Sequence, residues 1–264
     1  MMSRNLIGME LKSLRVSFLV GTLVLLIYQF VLGAMADSFA GNAGMMEVLQ
    51  GKSAILESFG INTVMMSSYE GWVGAQPHML FALLLSAFSA IWAGTCISRE
   101  RDKGTAEYLF SLPYSRREIF FSKAAAHLLL VTIIALLTFL VNWAAGELFS
   151  SVSNVKILLL LVLAGYCIAL AFLGIGYILT FWVTSERAAT STGIGLVLMM
   201  FFMGLLSTAP GNAARLADLS LFRLFVPSDI VMDVTLTAAG VLITVGLYAV
   251  GLAAAALGLE RQDL

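Results

Sequence analysis

Charge is what this chain has least of. Asp, Glu, Lys and Arg make up 12% of its 264 residues, while hydrophobic residues make up 60%. That balance lies outside the range of water-soluble domains and excludes an ordinary soluble fold. Histidine occurs twice and cysteine twice, which leaves little for metal or redox chemistry. Cys96 and Cys167 sit in separate apolar runs, so no disulfide framework is expected and neither has metal-ligand company. His78 and His127 have no acidic residue near them in sequence, and no H-E-x-x-H pattern occurs. A net charge of −1 carries no indication of nucleic-acid binding. Neither a nucleophile with its base nor a cluster of ligands can be picked out, so an embedded enzyme is not expected.

What remains is apolar and long. Six runs contain no charged residue at all: 16–36, 71–98, 124–146, 157–185, 188–214 and 234–259. Each exceeds the roughly 20 residues a helix needs to cross about 30 Å of hydrocarbon. Backbone groups in lipid must be satisfied within the segment, which makes the runs helices. A transmembrane barrel would alternate apolar and polar residues, and these runs do not. The expectation is an all-α polytopic protein forming a single transmembrane domain over 1–264. Its spans are placed near 16–36, 77–98, 124–146, 157–182, 188–208 and 234–258.

Six spans place both termini on one side. With the N-terminus inside, eleven of the 15 Lys and Arg residues are cytoplasmic and four (Lys52, Lys156, Arg215, Arg223) are outside. The 16 acidic residues divide equally, so the basic residues alone set the orientation. The expected location is the cell (inner) membrane, with both ends cytoplasmic. Ala34-Met35-Ala36 resembles a signal-peptidase site, but the apolar run before it is longer than the roughly 7–15 residues of a signal core, and cleavage is not expected.

Between the spans, residues 3–15 place Leu6, Ile7, Leu11 and Leu14 at helical spacing with Arg4, Lys12 and Arg15 on other faces. This reads as an amphipathic helix on the cytoplasmic surface, or equally as a positive flank that fixes topology. The outer loop 37–76 contains a candidate short helix carrying Met45, Met46, Leu49, Leu56 and Phe59, stopped at Gly60. Gly51-Lys52-Ser53 imitates the end of a phosphate-binding loop. Met46 stands where the first glycine of that motif belongs and no strand precedes it, so the chain carries no ATPase site of its own. The stretch 217–233 reads as one or two short outer helices, interrupted at Pro227, with Asp233 as N-cap of the last span. Gly174 with Gly176, Gly193 with Gly195, and Gly251 with Ala255 suit close helix packing. Polar residues inside spans are few. Tyr28, Gln29 and Asn142 are the candidates for a translocation path, though each reads more simply as an interhelical hydrogen bond or an interfacial anchor. Ion-coupled carriers keep ionisable groups near the midplane, and their lack here disfavours that class.

The scarce charge is concentrated. Ten of the 31 charged residues fall between Arg99 and Lys123. Within that loop Gly104-Thr105 opens a short helix, 106–112, that Pro113 ends. Ser115-Arg116-Arg117-Glu118 has capping-box spacing and starts the helix of the third span. On the short helix Glu107 and Ser111 share a face, and Ala106, Tyr108, Leu109, Phe110 and Leu112 fill an arc of roughly 200°, twice what resting on one surface requires. It should be covered on two sides, by the bundle and by either a partner or the chain itself.

"SRERDKGTAEYLFSLPYSRREIFFSK" resembles the signature loop of ABC transporter permeases of the type-2 exporter class. Glu100, Gly104, Thr105, Glu107, Leu112, Pro113, Ser115, Arg116 and Lys123 carry the match. The six spans, the amphipathic N-terminal helix and the outer helices extend it to essentially the whole chain; the outer loop of about 40 residues departs from it. The resemblance implies a coupling helix docked in a groove of a separate ATPase subunit through Glu100, Lys103, Gly104, Thr105, Glu107, Tyr108, Leu109, Leu112, Pro113, Ser115 and Arg116. It implies two permeases, identical or related, and two ATPases, with substrate passing between the permeases and ATP and magnesium bound in the partner. No cofactor is expected in this chain. A membrane scaffold moved by an ATPase partner without transport is the alternative from another class.

Overall fold

The computed structural model describes residues 4–40, 68–105, 113–180, 182–183, 185–206 and 213–261. The expected helix within the outer loop, the Gly51-Lys52-Ser53 triplet and the 106–112 helix lie outside the described residues. Secondary structure among the described residues is helical: α1 (Arg4–Ala34), α2 (Ala36–Ala40), α3 (Tyr69–Ala75), α4 (Pro77–Gly94), α5 (Ser98–Asp102), α6 (Arg116–Phe149), α7 (Val155–Leu179), α8 (Glu186–Leu205), α9 (Ala213–Ala217), a 3-10 turn (Leu221–Leu224), α10 (Pro227–Asp233) and α11 (Ala238–Arg261). Six of these, α1, α4, α6, α7, α8 and α11, are long and apolar enough to cross a membrane.

The helix α7 is the axis of the bundle. Some 78% of its span is buried in protein, against 22% in α1 and α8, which therefore sit at the periphery. Small residues allow the central contacts. Gly174 of α7 and Gly251 of α11 face each other so closely that a Cβ on either would overlap the other helix's backbone. Gly176 meets Ala90, Ala93 and Gly94 of α4. Gly193 packs α8 on Ala90, whereas Gly195, expected to pack with it, faces open space. In lipid such close approach supplies the dispersion contacts that a hydrophobic driving force cannot.

Two helices are longer than a bilayer. At 1.5 Å per residue, the 31 residues of α1 and 34 of α6 extend about 46 and 51 Å, well beyond roughly 30 Å of hydrocarbon. Residues 4–15 are thus the leading turns of α1 and not a separate surface helix. Leu6, Glu10 and Leu14, four residues apart, form a buried stripe, while Arg4, Lys12 and Arg15 are exposed. The capping box at the start of α6 is formed. Ser115 Oγ accepts from Glu118 N–H at 3.2 Å and Glu118 Oε2 accepts from Ser115 N–H at 3.3 Å.

At the opposite end α3 is a fully buried plug. Ser68 caps it, Trp72 Nε1–H donates to the Leu32 carbonyl at the end of α1 (2.7 Å), and Tyr69 O–H donates to the Asn142 carbonyl of α6 (2.5 Å). Glu70 Oε1 accepts from Asn154 N–H at 2.6 Å, at the start of α7. The short elements between α8 and α11 insert Leu221, Phe225 and Ile230 into the bundle. Pro227 is the first residue of α10, as its fixed φ and missing donor suit. Asp233 ends α10 and does not cap the last span. Val234 follows it in the left-handed region at φ 52°, which stops the helix, and α11 begins only at Ala238.

Candidate functional site

The charged loop converges on one buried carboxylate. Glu10, 3% exposed, is held by side chains from α5 and α6. Arg99 of α5 donates from Nη2 at 3.1 Å, and Lys123 of α6 donates from Nζ at 2.7 Å. His127, one turn further along α6, lies at 3.2 Å through Nε2. An ionised carboxylate only accepts, so Nε2 carries a proton, and Nδ1 pairs with the Tyr177 hydroxyl of α7 at 3.2 Å. The Tyr177 ring stacks on the imidazole at 6.0 Å. Arg99 also donates from Nη1 to Ser13 Oγ at 3.2 Å.

A second carboxylate completes the set. Lys123 Nζ reaches Glu100 Oε1 at 3.0 Å, and Thr105 O–H donates to Glu100 Oε2 at 2.6 Å. Two anions and two cations therefore cancel, with His127 bridging Glu10 to Tyr177. Burial pushes the Glu100 carboxyl up, but the Lys123 ammonium and the Thr105 hydroxyl outweigh it and leave the group below its ordinary 4.5. Taking such charges from water is costly, and only near-complete pairing offsets it. Removing one member would leave its partners buried and uncompensated.

The rest of the loop is tied to the remaining spans. Asp102 Oδ2 accepts from Glu186 N–H at 2.7 Å, capping α8 from across the chain. Arg116 Nη1 donates to the Leu259 carbonyl near the end of α11 at 3.3 Å. Gly104 turns the chain at φ 65°, a conformation other residues adopt with strain, and it is exposed. A cavity of about 290 Å³ opens beside the network, bounded by Leu6, Met9, Glu100, Lys103 and Ile119 among others.

Of the residues expected at a docking surface, Lys103, Gly104, Thr105, Pro113 and Ser115 are exposed, and Glu100 and Arg116 are half-buried. Glu100 and Thr105 point back into the ion network, and Arg116 reaches α11. Glu107, Tyr108, Leu109 and Leu112 lie outside the described residues. The expected path residues divide. Tyr28 is half-buried, while Gln29 and Asn142 are enclosed, with 0% and 2% exposure. Gln29 Nε2–H donates to the Pro77 carbonyl at 2.9 Å, joining α1 to α4.

Sequence reasoning missed Glu10 and His127. The available signal was an acid between Leu6 and Leu14 on one apolar stripe, paralleled by Lys123 and His127 four residues apart on α6. Their meeting spans more than a hundred residues of chain, and local spacing does not reveal it. Among the described residues no group of three His, Cys, Asp or Glu side chains could hold a metal ion. With its charges paired to one another, the network acts as an ionic clamp between helices.

Comparison with curated proteins returned no match. The family model described as "ABC-2 family transporter protein" matches residues 4–264, nearly the whole chain. With six apolar helices and the charged loop joined to their ends, the chain belongs to the ABC-2 transporter family as a membrane component.

Proposed function

We propose that this chain is the membrane-spanning permease subunit of an ATP-driven exporter, and that it docks a separate ATPase subunit through the 99–123 loop. The observation that carries the reading is the clamp around Glu10. It joins α1, α5 and α6 to α7 at the two ends of the loop. A push on residues 106–112 would therefore reach four helices as one body, because α1, α5 and α6 are held by paired charges and α7 by the His127–Tyr177 hydrogen bond. Asp102 and Arg116 extend the same connection to α8 and α11.

In this reading ATP and magnesium bind the partner, and the termini and the loop face the cytoplasm as the basic residues dictate. Two copies of this chain or of a related one form the transporter, with the apolar outer faces of α1 and α8 serving lipid and the second permease. A path between two permeases could reach Tyr28. Gln29 joins α1 to α4 within one protomer, and the enclosed Asn142 side chain carries an unpartnered Oδ1.

The test is co-purification. Tyr108→Asp, Leu109→Asp and Leu112→Asp each place a charge on the short apolar helix. An unpaired buried charge costs several kcal/mol, so at least one variant should insert normally yet lose its ATPase. Lys103→Gln should do less, since rim charges act mainly on rates and salt dependence. Normal ATPase retention and transport in all three aspartate variants would remove the loop's role.

A further inference from the structure

A cavity of about 320 Å³ lies at the end of the bundle away from the charged loop, between α4, α7, α8 and residues 222–229. Phe201, Phe222, Phe225 and Ile168 make its walls apolar. His78 of α4 lines it with 5% exposure, and its Nδ1 has no hydrogen-bond partner. A buried nitrogen left in that state is unfavourable, so the site favours a guest that brings a hydrogen bond to it. Arg223 and Asp229 also line the cavity; both are exposed, and neither forms an ion pair among the described residues. The site therefore has a polar point inside, an aromatic body, and one charge of each sign outside.

We propose that this cavity binds a single-chain zwitterionic amphiphile, its anionic oxygens on Arg223, its ammonium at Asp229, and a hydroxyl donated to His78 Nδ1. An anion alone would meet repulsion from Asp229, and an amine alone would meet it from Arg223. The volume is at the small end of ligand pockets, which suits one chain and not two. The guest arrives from the membrane. Phe202, Leu219 and Met232, on or next to the elements that line the cavity, are 59%, 65% and 70% exposed, so its surroundings are apolar on the outside as well. This assignment is independent of ATP coupling, because a single chain carries every residue named.

Lysophosphatidylethanolamine supplies all three groups and is the probe. The full chain in phosphatidylcholine nanodiscs should bind a fluorescent form saturably, with lysophosphatidate of the same chain binding at least several-fold more weakly. Arg223→Gln should weaken the zwitterion about tenfold, the scale of one charge-assisted hydrogen bond. Asp229→Asn should weaken the zwitterion while leaving lysophosphatidate unchanged or tighter, a reversal that mere loss of folding cannot produce. His78→Leu should cost a similar factor only for probes that carry the free hydroxyl. Equal binding of both lipids to the unmodified chain overturns the proposal. So does displacement of the probe by a neutral detergent at the same concentration, or the absence of saturable binding.

Discussion

The two ends of the bundle are closed by different chemistry. At the loop end three buried charges, Glu10 against Arg99 and Lys123, are joined by the half-buried Glu100. At the other end Tyr69 and Trp72 are neutral side chains donating to backbone carbonyls, and the one buried carboxylate of the plug, Glu70, accepts from the Asn154 backbone N–H with no ion pair among the described residues. Neutral bonds fail singly and cheaply. A charge network fails as a unit, because each lost member leaves another charge uncompensated in low dielectric. The loop end is thus the stiffer coupling and also the more fragile one, which suits the place where a partner's motion would enter.

The largest expected effect comes from opening the network. Lys123→Met should destabilise the chain by about 3–5 kcal/mol, the scale for removing one side of a buried pair. Thermal unfolding in detergent would measure it. The double variant Glu10→Gln with Lys123→Met should recover part of that loss; strict additivity of the two single losses would mean that the pair is not coupled.

Next comes the turn. Gly104→Val puts a β-branched residue at φ 65° and should cost about 1–3 kcal/mol of local strain. The position is exposed and no atom would meet the new Cβ within 4 Å, so unfolding of the bundle should change little while ATPase retention falls. A large drop in unfolding temperature would place the turn inside the folded core instead.

At the neutral end Tyr69→Phe deletes a single hydrogen bond to the Asn142 carbonyl and should cost about 1 kcal/mol. A loss as large as that of Lys123→Met would erase the contrast between the ends.

The smallest effect is one of pH. The Glu100 carboxyl is held below its ordinary 4.5, so its contribution is fully present above that value and disappears as pH falls through the folded-state pKa. The stability difference between the native chain and Glu100→Gln should therefore be constant around neutrality and shrink as pH is lowered below about 4.5. A difference that grew on acidification would reverse the assigned sign.

Local features are legible in the sequence because their causes are local. The charge-free runs become helices since lipid leaves backbone groups no other partner. Ser115 and Glu118 form their box because both partners lie within one turn, and Gly104 adopts positive φ because glycine does so without strain. Asp233 misleads for a related reason. Its type suits a helix start, but the left-handed Val234 beside it makes it a helix end, and no propensity foretells a β-branched residue there. Gly193 and Gly195 look alike in sequence, yet only the first faces a neighbouring helix.

The sequence by itself determined that the chain is a bundle of six membrane-crossing helices with its charge gathered in one loop, because desolvation of the backbone and of charge acts residue by residue. Only the tertiary structure decided where that charge goes. Glu10 reads as one acid on a leading amphipathic turn until α1 and α6 lie side by side and bring it to Lys123 and His127, more than a hundred residues away. Pairing of buried ions depends on the meeting of distant surfaces, and local spacing carries no record of it.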